Sequence, residues 1–217
     1  VCIIDDAGQM TAEAANSLLK LLEEPPPGWL FILITQQAER LLPTVLSRVV
    51  RLRFDAPDSS AVQQILKAKG ITQNTQVLAA LAGGSPGRAL SYNQADIFAI
   101  RREALDLLKK LPLQNPFGYI AALGWGEKYD RAGALLLTEQ FIYLLRDVLL
   151  VQSGAGGQVY NTDIMAGLDG IAADWPLHTA RQGVNAAQEA WQNINKNVSA
   201  KNVLEALVLK LDLLRKE

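Results

Sequence analysis

The 217-residue sequence holds one cysteine, Cys2, and one histidine, His178. A single cysteine excludes an intramolecular disulfide framework and a cysteine-only zinc site, and it fits a reducing compartment. A single histidine excludes a metal centre built from three imidazoles, and His178 itself is expected on a helix surface. Excess charge of one sign is also missing: 21 Lys and Arg stand against 22 Asp and Glu, for a net charge of −1. No global basic field draws such a chain onto nucleic acid or an anionic membrane, so any DNA contact is expected to be local or made by partners. Aromatic residues are only 6% of the chain, and Trp125, Trp175 and Trp191 lie scattered among helical patterns. They are read as core or interface anchors, not as a base-stacking platform. The most apolar run, 133–152, carries Glu139, Arg146 and Asp147. Those charges are costly at mid-bilayer, so a buried helix is expected there and no membrane span. The chain opens without an initiator Met or a basic leader, and is read as part of a longer protein.

What is present is enough for a large core, since 49% of the residues are hydrophobic. Residues 1–55 alternate strand and helix, which argues for an α/β layer with a mostly parallel sheet. An apolar strand ends in two acids (VCIIDDAGQ, 1–9), and a helix over 11–24 follows with Thr11 as its cap. Pro25, Pro26 and Pro27 stop that helix, because proline lacks the N–H and disfavours helix in the residue before it. A second strand over 30–36, a short helix and a third strand over 49–54 complete the block. Residues 56–93 read as three short helices, capped at Asp58 or Ser59 and at Ser85-Pro86, with Gly70 and Gly83-Gly84 as stops. Residues 94–217 read as longer amphipathic helices near 96–111, 116–123, 129–152, 162–173, 176–195 and 200–215. Gly154, Gly156 and Gly157 mark the one loop expected to be flexible.

Four features carry possible chemistry. Asp5 and Asp6 close an apolar strand, where carboxylates face the ligand crevice of open α/β sheets. In nucleoside triphosphatases such acids hold Mg²⁺ and polarise the attacking water, although two acids after a strand are also a common strand exit. Arg48, after Ser47, lies where the short helix hands over to the third strand. A guanidinium held at a subunit boundary can stabilise charge on a transferring phosphoryl group, whereas an arbitrary arginine is usually a solvated one. Thr35 is polar at the end of an apolar strand and can orient a water or touch a phosphate, or be a routine strand end. Arg88 lies in the first turn of the helix begun by Ser85-Pro86, either at a functional corner or simply solvated.

Taken in order, IIDDAGQMTAEAANSLLKLLEEPPP, FILITQQAERLLPTVLSRV and GGSPGRAL closely resemble the bacterial DNA polymerase III clamp-loader subunits, of the AAA+ superfamily. The resemblance is firm over 1–92 and rests on helical layout beyond. It implies an α/β plus all-α chain: a partial AAA+ parallel-sheet domain (1–55), a small three-helix lid (56–93) and a helical collar (94–217). Residue by residue, it makes Asp5 and Asp6 the Walker B acids and Thr35 the sensor-1 position. Ser47-Arg48 becomes the arginine-finger motif, acting in trans, and Arg88 the sensor-2 arginine. Active members carry Glu where Asp6 stands, one methylene longer, so a water held for that Glu would be badly placed. Val49 replaces the usual Cys of the finger motif, which leaves the charge of Arg48 untouched.

The resemblance therefore implies a non-catalytic member that offers Arg48 to a neighbouring ATPase and assists placement of the sliding clamp on primed DNA. Implied partners are the tau/gamma and delta types of subunit, the clamp, and primed DNA through the complex. The implied location is the bacterial cytoplasm at the replicating nucleoid. The phosphate loop and the cysteine-rich zinc module of the family are not in this sequence, so ATP, Mg²⁺ and zinc are not expected to bind it; ATP and Mg²⁺ would sit on partner subunits. The AAA+ strand that lies between the second and third strands is also outside it, so exposed apolar faces and strand edges are expected. Two alternatives stay open: a catalytic tau/gamma-type ATPase seen without its phosphate loop, and an AAA+ helicase loader or junction motor.

Overall fold

In the computed structural model, which describes residues 1–216, the first two apolar runs form strands β1 (Cys2–Ile4) and β2 (Phe31–Leu33). They pair in parallel, with Cys2 opposite Phe31, Ile3 opposite Ile32 and Ile4 opposite Leu33. Helix α1 (Ala12–Glu23) makes the crossover, and the Thr11 side chain accepts the Ala14 N–H as its cap. Ala15 and Leu18 are its buried positions, with Leu19 and Leu22 half-buried beside them. After β2 a single 3₁₀ turn (Ala38–Arg40) leads to α2 (Pro43–Leu46), whose Val45 is fully buried.

The third strand expected over 49–54 is not formed. Those residues have no regular structure, and Val50, Leu52 and Phe54 are 89%, 76% and 89% exposed. Alternating apolar residues satisfy a strand only when a neighbouring strand takes their N–H and C=O groups. The sheet among the described residues contains β1 and β2 alone, so that segment has no ladder to join. One face of the sheet is correspondingly open: Ile3 and Ile32 lie opposite each other with 61% and 39% exposure, flanked by Val1, Leu30 and Ile34.

The chain divides into two compact units, Val1–Asp55 and Ala56–Glu217. The second is all helix. Its first three helices are α3 (Ser59–Ala68), α4 (Thr75–Leu81) and α5 (Pro86–Gln94). Asp58 caps α3 by accepting the Ala61 N–H at 2.7 Å, and Ser85 caps α5 by accepting the Arg88 N–H at 3.3 Å. Gly84 is required between α4 and α5: its φ is +82°, and a Cβ there would stand 2.7 Å from the Pro57 carbonyl oxygen. The remaining helices are α6 (Ile97–Lys110), α7 (Pro116–Leu123), α8 (Trp125–Lys128), α9 (Arg131–Gln152), α10 (Met165–Asp174), α11 (Leu177–Asn195) and α12 (Ala200–Leu214).

Helix α9 is the axis of this unit, packed on α6, α10, α11 and α12. Leu137, Phe141, Leu144, Leu145 and Val148 on it are fully buried, within one apolar cluster that runs from Val62 to Leu211. The run 133–152 is thus a buried helix, and no described helix is long and apolar enough to cross a membrane. Its charges are accommodated individually. Asp147, fully buried, accepts N–H groups from Tyr160, Asn161 and the Asn161 amide at 2.8–3.1 Å, and Arg146 pairs with it at 2.8 Å. The glycine-rich loop after α9 is therefore pinned at its far end, and a 3₁₀ turn (Gly156–Gln158) occupies its middle.

Candidate functional site

The two strands end side by side, and their continuation sets the geometry of the first group of residues. The Ile34 N–H donates to the Ile4 carbonyl at 2.9 Å, and the Ala7 N–H donates to the Ile34 carbonyl at 2.8 Å. Asp5, Asp6 and Thr35 consequently sit together at the C-terminal end of the parallel pair, which is the end where such sheets receive ligands. Asp5 turns its carboxylate onto the next amide, accepting the Asp6 N–H at 2.9 Å. Asp6 takes a left-handed conformation, φ 50° and ψ 42°, as Asp can because its short polar side chain tolerates that region. Both acids are exposed.

Thr35 is committed to a local turn: its hydroxyl accepts the Gln37 N–H at 3.1 Å and donates to the Gln37 carbonyl at 3.2 Å. Gly8 packs so near that a Cβ would lie 2.8 Å from the Thr35 hydroxyl, so the strand-end loop closes tightly over this residue. Among the described residues no group of three or more His, Cys, Asp or Glu side chains is placed to hold a metal ion.

Arg48 stands elsewhere on the same unit, two residues beyond the end of α2. Its Nε donates to Glu23 Oε1 at 2.7 Å, and its Nη2 lies 2.5 Å from the same oxygen. Its Nη1 donates to the Thr44 carbonyl at 2.9 Å and to the Ser47 hydroxyl at 3.1 Å. Ser47 in turn donates to the Thr44 carbonyl at 3.0 Å, so the serine orients the arginine while satisfying the end of α2. The Arg48 side chain remains 35% exposed and that of Glu23 47% exposed. The guanidinium is thus bonded within its own unit and still reachable from solvent. Glu23 escaped the sequence reading because the pair is 25 residues apart and no local pattern couples a helix end to a later turn.

Arg88 belongs to the second unit. Its Nε donates to the Tyr92 hydroxyl at 2.6 Å, one Nη donates to the Tyr143 hydroxyl at 2.9 Å, and the same Nη pairs with Glu139. Tyr92 closes the ring by donating to Glu139 Oε2 at 2.5 Å. Burial works against the charge of Arg88, but Glu139 and the two tyrosines outweigh it and hold the guanidinium more firmly protonated than usual. Burial, with Glu139 beside it, pushes the Tyr92 hydroxyl well above the ordinary phenol range, and Tyr143 moves the same way. Glu139, Tyr92 and Tyr143 were not anticipated as partners; only the apolar flanks of Glu139 in the run 133–152 hinted that an acid there needs a cation.

Residues 1–58 match the family model described as DNA polymerase III, delta subunit. The DNA polymerase III subunit delta' of Bacillus subtilis is 29% identical over 212 residues, covering 96% of this chain and 64% of that protein. The Escherichia coli subunit delta' is 34% identical over 187 residues, covering 84% of this chain and 52% of that protein. The gamma/tau subunit of Mycobacterium tuberculosis H37Rv is 29% identical over 182 residues, 70% of this chain and 31% of that protein. The chain thus spans between about a third and two thirds of the curated relatives it matches. It is similar to DNA polymerase III subunits, with delta' subunits matched over most of its length.

Proposed function

We propose, from this kinship, that the chain belongs to a delta'-type subunit of a DNA polymerase III clamp loader that does not itself hydrolyse ATP. In this reading it joins tau/gamma- and delta-type subunits, helps place the sliding clamp on primed DNA, and lends Arg48 to the ATP site of a neighbour. One observation carries the reading: a guanidinium oriented by Ser47 and the end of α2, yet 35% exposed, in the SRV segment that the resemblance assigns to the finger. A planar, permanently charged fork in that position suits phosphate oxygens. Asp6, left-handed and one methylene short of the usual Glu, supports a site that does not activate water of its own.

The test uses the full-length protein in a reconstituted complex. Arg48→Ala is expected to abolish turnover at the one site it serves, with the complex still assembled by native mass spectrometry. Removal of a trans arginine costs about 10³–10⁵ in rate at the affected site in GTPase systems. Unchanged turnover refutes the assignment.

A second reading, a catalytic gamma/tau-type ATPase, is favoured by the 29% identity to the mycobacterial gamma/tau subunit. Equilibrium nucleotide binding to the full-length protein separates the two. Tight ATP binding together with turnover by the isolated subunit would establish the gamma/tau-type reading.

A further inference from the structure

The acid that meets Arg48 occupies an unexpected place. Glu23 is the last residue of α1, where the helix dipole already presents partial negative charge and an acidic side chain is disfavoured. Glu24 follows as the C-cap, so two acids crowd one helix end. The Arg48 guanidinium lies against this end and also caps α2 through the Thr44 carbonyl. Its surroundings are therefore those of an anion-lined seat for a cation.

The division of the five guanidinium N–H groups is informative. The Nη1 edge is fixed to backbone and to Ser47, groups that belong to the same turn as Arg48. The Nε–Nη2 edge is given to Glu23 alone, and this is an edge that could accept a phosphate bidentately. One Glu23 oxygen, Oε1, takes both groups of that edge, and both side chains reach solvent.

We infer that Glu23 is a positioning residue for Arg48: it holds the phosphate-binding edge of the guanidinium until the triphosphate of a neighbouring subunit displaces it. The inference rests on the finger reading above. Exchange leaves the Nη1 edge on Thr44 and Ser47, so the arginine turns about an anchored corner and does not search for its target. The holding contact must be weak enough to surrender, and a half-exposed ion pair is of that kind: it corresponds to about two- to fivefold in an equilibrium.

The experiment measures ATP turnover of the reconstituted full-length complex, without and with primed DNA and clamp, for five forms of the subunit: wild type, Glu23→Gln, Glu23→Ala, Arg48→Ala and the double variant Glu23→Gln/Arg48→Ala. Glu23→Gln keeps the shape and removes the charge, and Glu23→Ala serves as a second variant with no side chain to hold the fork. Both are expected to raise turnover in the absence of DNA by about two- to fivefold. The double variant is expected to match Arg48→Ala. A merely structural role for Glu23 would move turnover equally in the Arg48→Ala background, and that result overturns the inference. So does a Glu23→Gln rate equal to or below wild type while Arg48→Ala lowers it, an outcome that leaves the finger reading standing. If Arg48→Ala itself changes nothing, both fall.

Discussion

The two units of this chain treat their apolar residues in opposite ways. In Val1–Asp55 the buried apolar side chains are few, Ala7, Ala15, Leu18, Leu41 and Val45, while Val1, Ile3, Trp29, Leu30, Ile32, Ile34, Val50, Leu52 and Phe54 are exposed. In Ala56–Glu217 a single cluster takes in Tyr92, Phe141, Leu144, Leu168 and Leu211 at 1% exposure or less. Polar contacts divide the same way. Arg48 and Glu23 meet at the surface of the first unit, whereas in the second Asp147 is fully buried and Glu139, the acid that meets Arg88, is only 14% exposed. Stability is expected to concentrate where burial does, and the residues proposed to act on a partner sit where it does not.

The largest difference between the units is expected on truncating one apolar side chain in each. Phe141→Ala removes a fully buried ring from the middle of α9 and is expected to cost about 3–5 kcal/mol. Ile32→Ala trims a side chain already 39% exposed and is expected to cost less than about 1 kcal/mol. Chemical denaturation followed by far-ultraviolet dichroism measures the first, and hydrogen exchange resolved to β2 measures the second. Equal losses would mean that the open sheet face is covered in solution.

A smaller effect probes the enclosed acids. Asp147→Ala leaves the N–H groups of Tyr160 and Asn161 without their acceptor inside the protein and removes the partner of Arg146. The expected cost is about 3 kcal/mol, the usual scale for breaking a buried charged network from one side. Exchange of the Tyr160 and Asn161 amides should accelerate by at least as much as that of the α9 core. If only those two amides respond and global stability is unchanged, the loop is a local latch and not part of the core.

Much of the second unit was legible because helix boundaries are written locally. Asp58, Ser85 and Asn115 each cap the helix that follows, with the N–H three residues on as donor. The charged residues in the run 133–152 correctly argued for a buried helix, since α9 holds Asp147 fully buried inside the protein. The short α8 was missed, being a single turn between the left-handed Gly124 and Tyr129 with no periodicity to read. In the first unit the alternation of 49–54 promised a strand, but a strand needs a partner and alternation cannot supply one. The strand ends predicted where Asp5, Asp6 and Thr35 would gather. Pairs closed through space, Glu23 with Arg48 and Glu139 with Arg88, have sequence separations of 25 and 51 and leave no local trace.

The smallest effect tests whether local caps behave alike in the two units despite their unequal cores. The Ala61 N–H and the Ser60 hydroxyl hold the Asp58 carboxyl below its usual range, and Glu13 in the first turn of α1 is lowered by its own backbone N–H and by Thr11. A carboxylate whose pKa is depressed on folding contributes stability that is fully present above its unfolded pKa and is lost as pH falls through the folded one. Both helix starts should therefore loosen below about pH 4, the ordinary carboxylate range. Asp58→Asn keeps an acceptor at the cap while removing the titration, so the acid loosening of α3 should disappear and that of α1 should remain. Amide exchange in the first turns of α3 and α1 between pH 5 and pH 3, corrected for intrinsic rates, reads both at once (about one unit either side of the carboxylate range). Loosening of α3 that persists in the Asn variant would place its cause in the packing of the second unit and not at the cap.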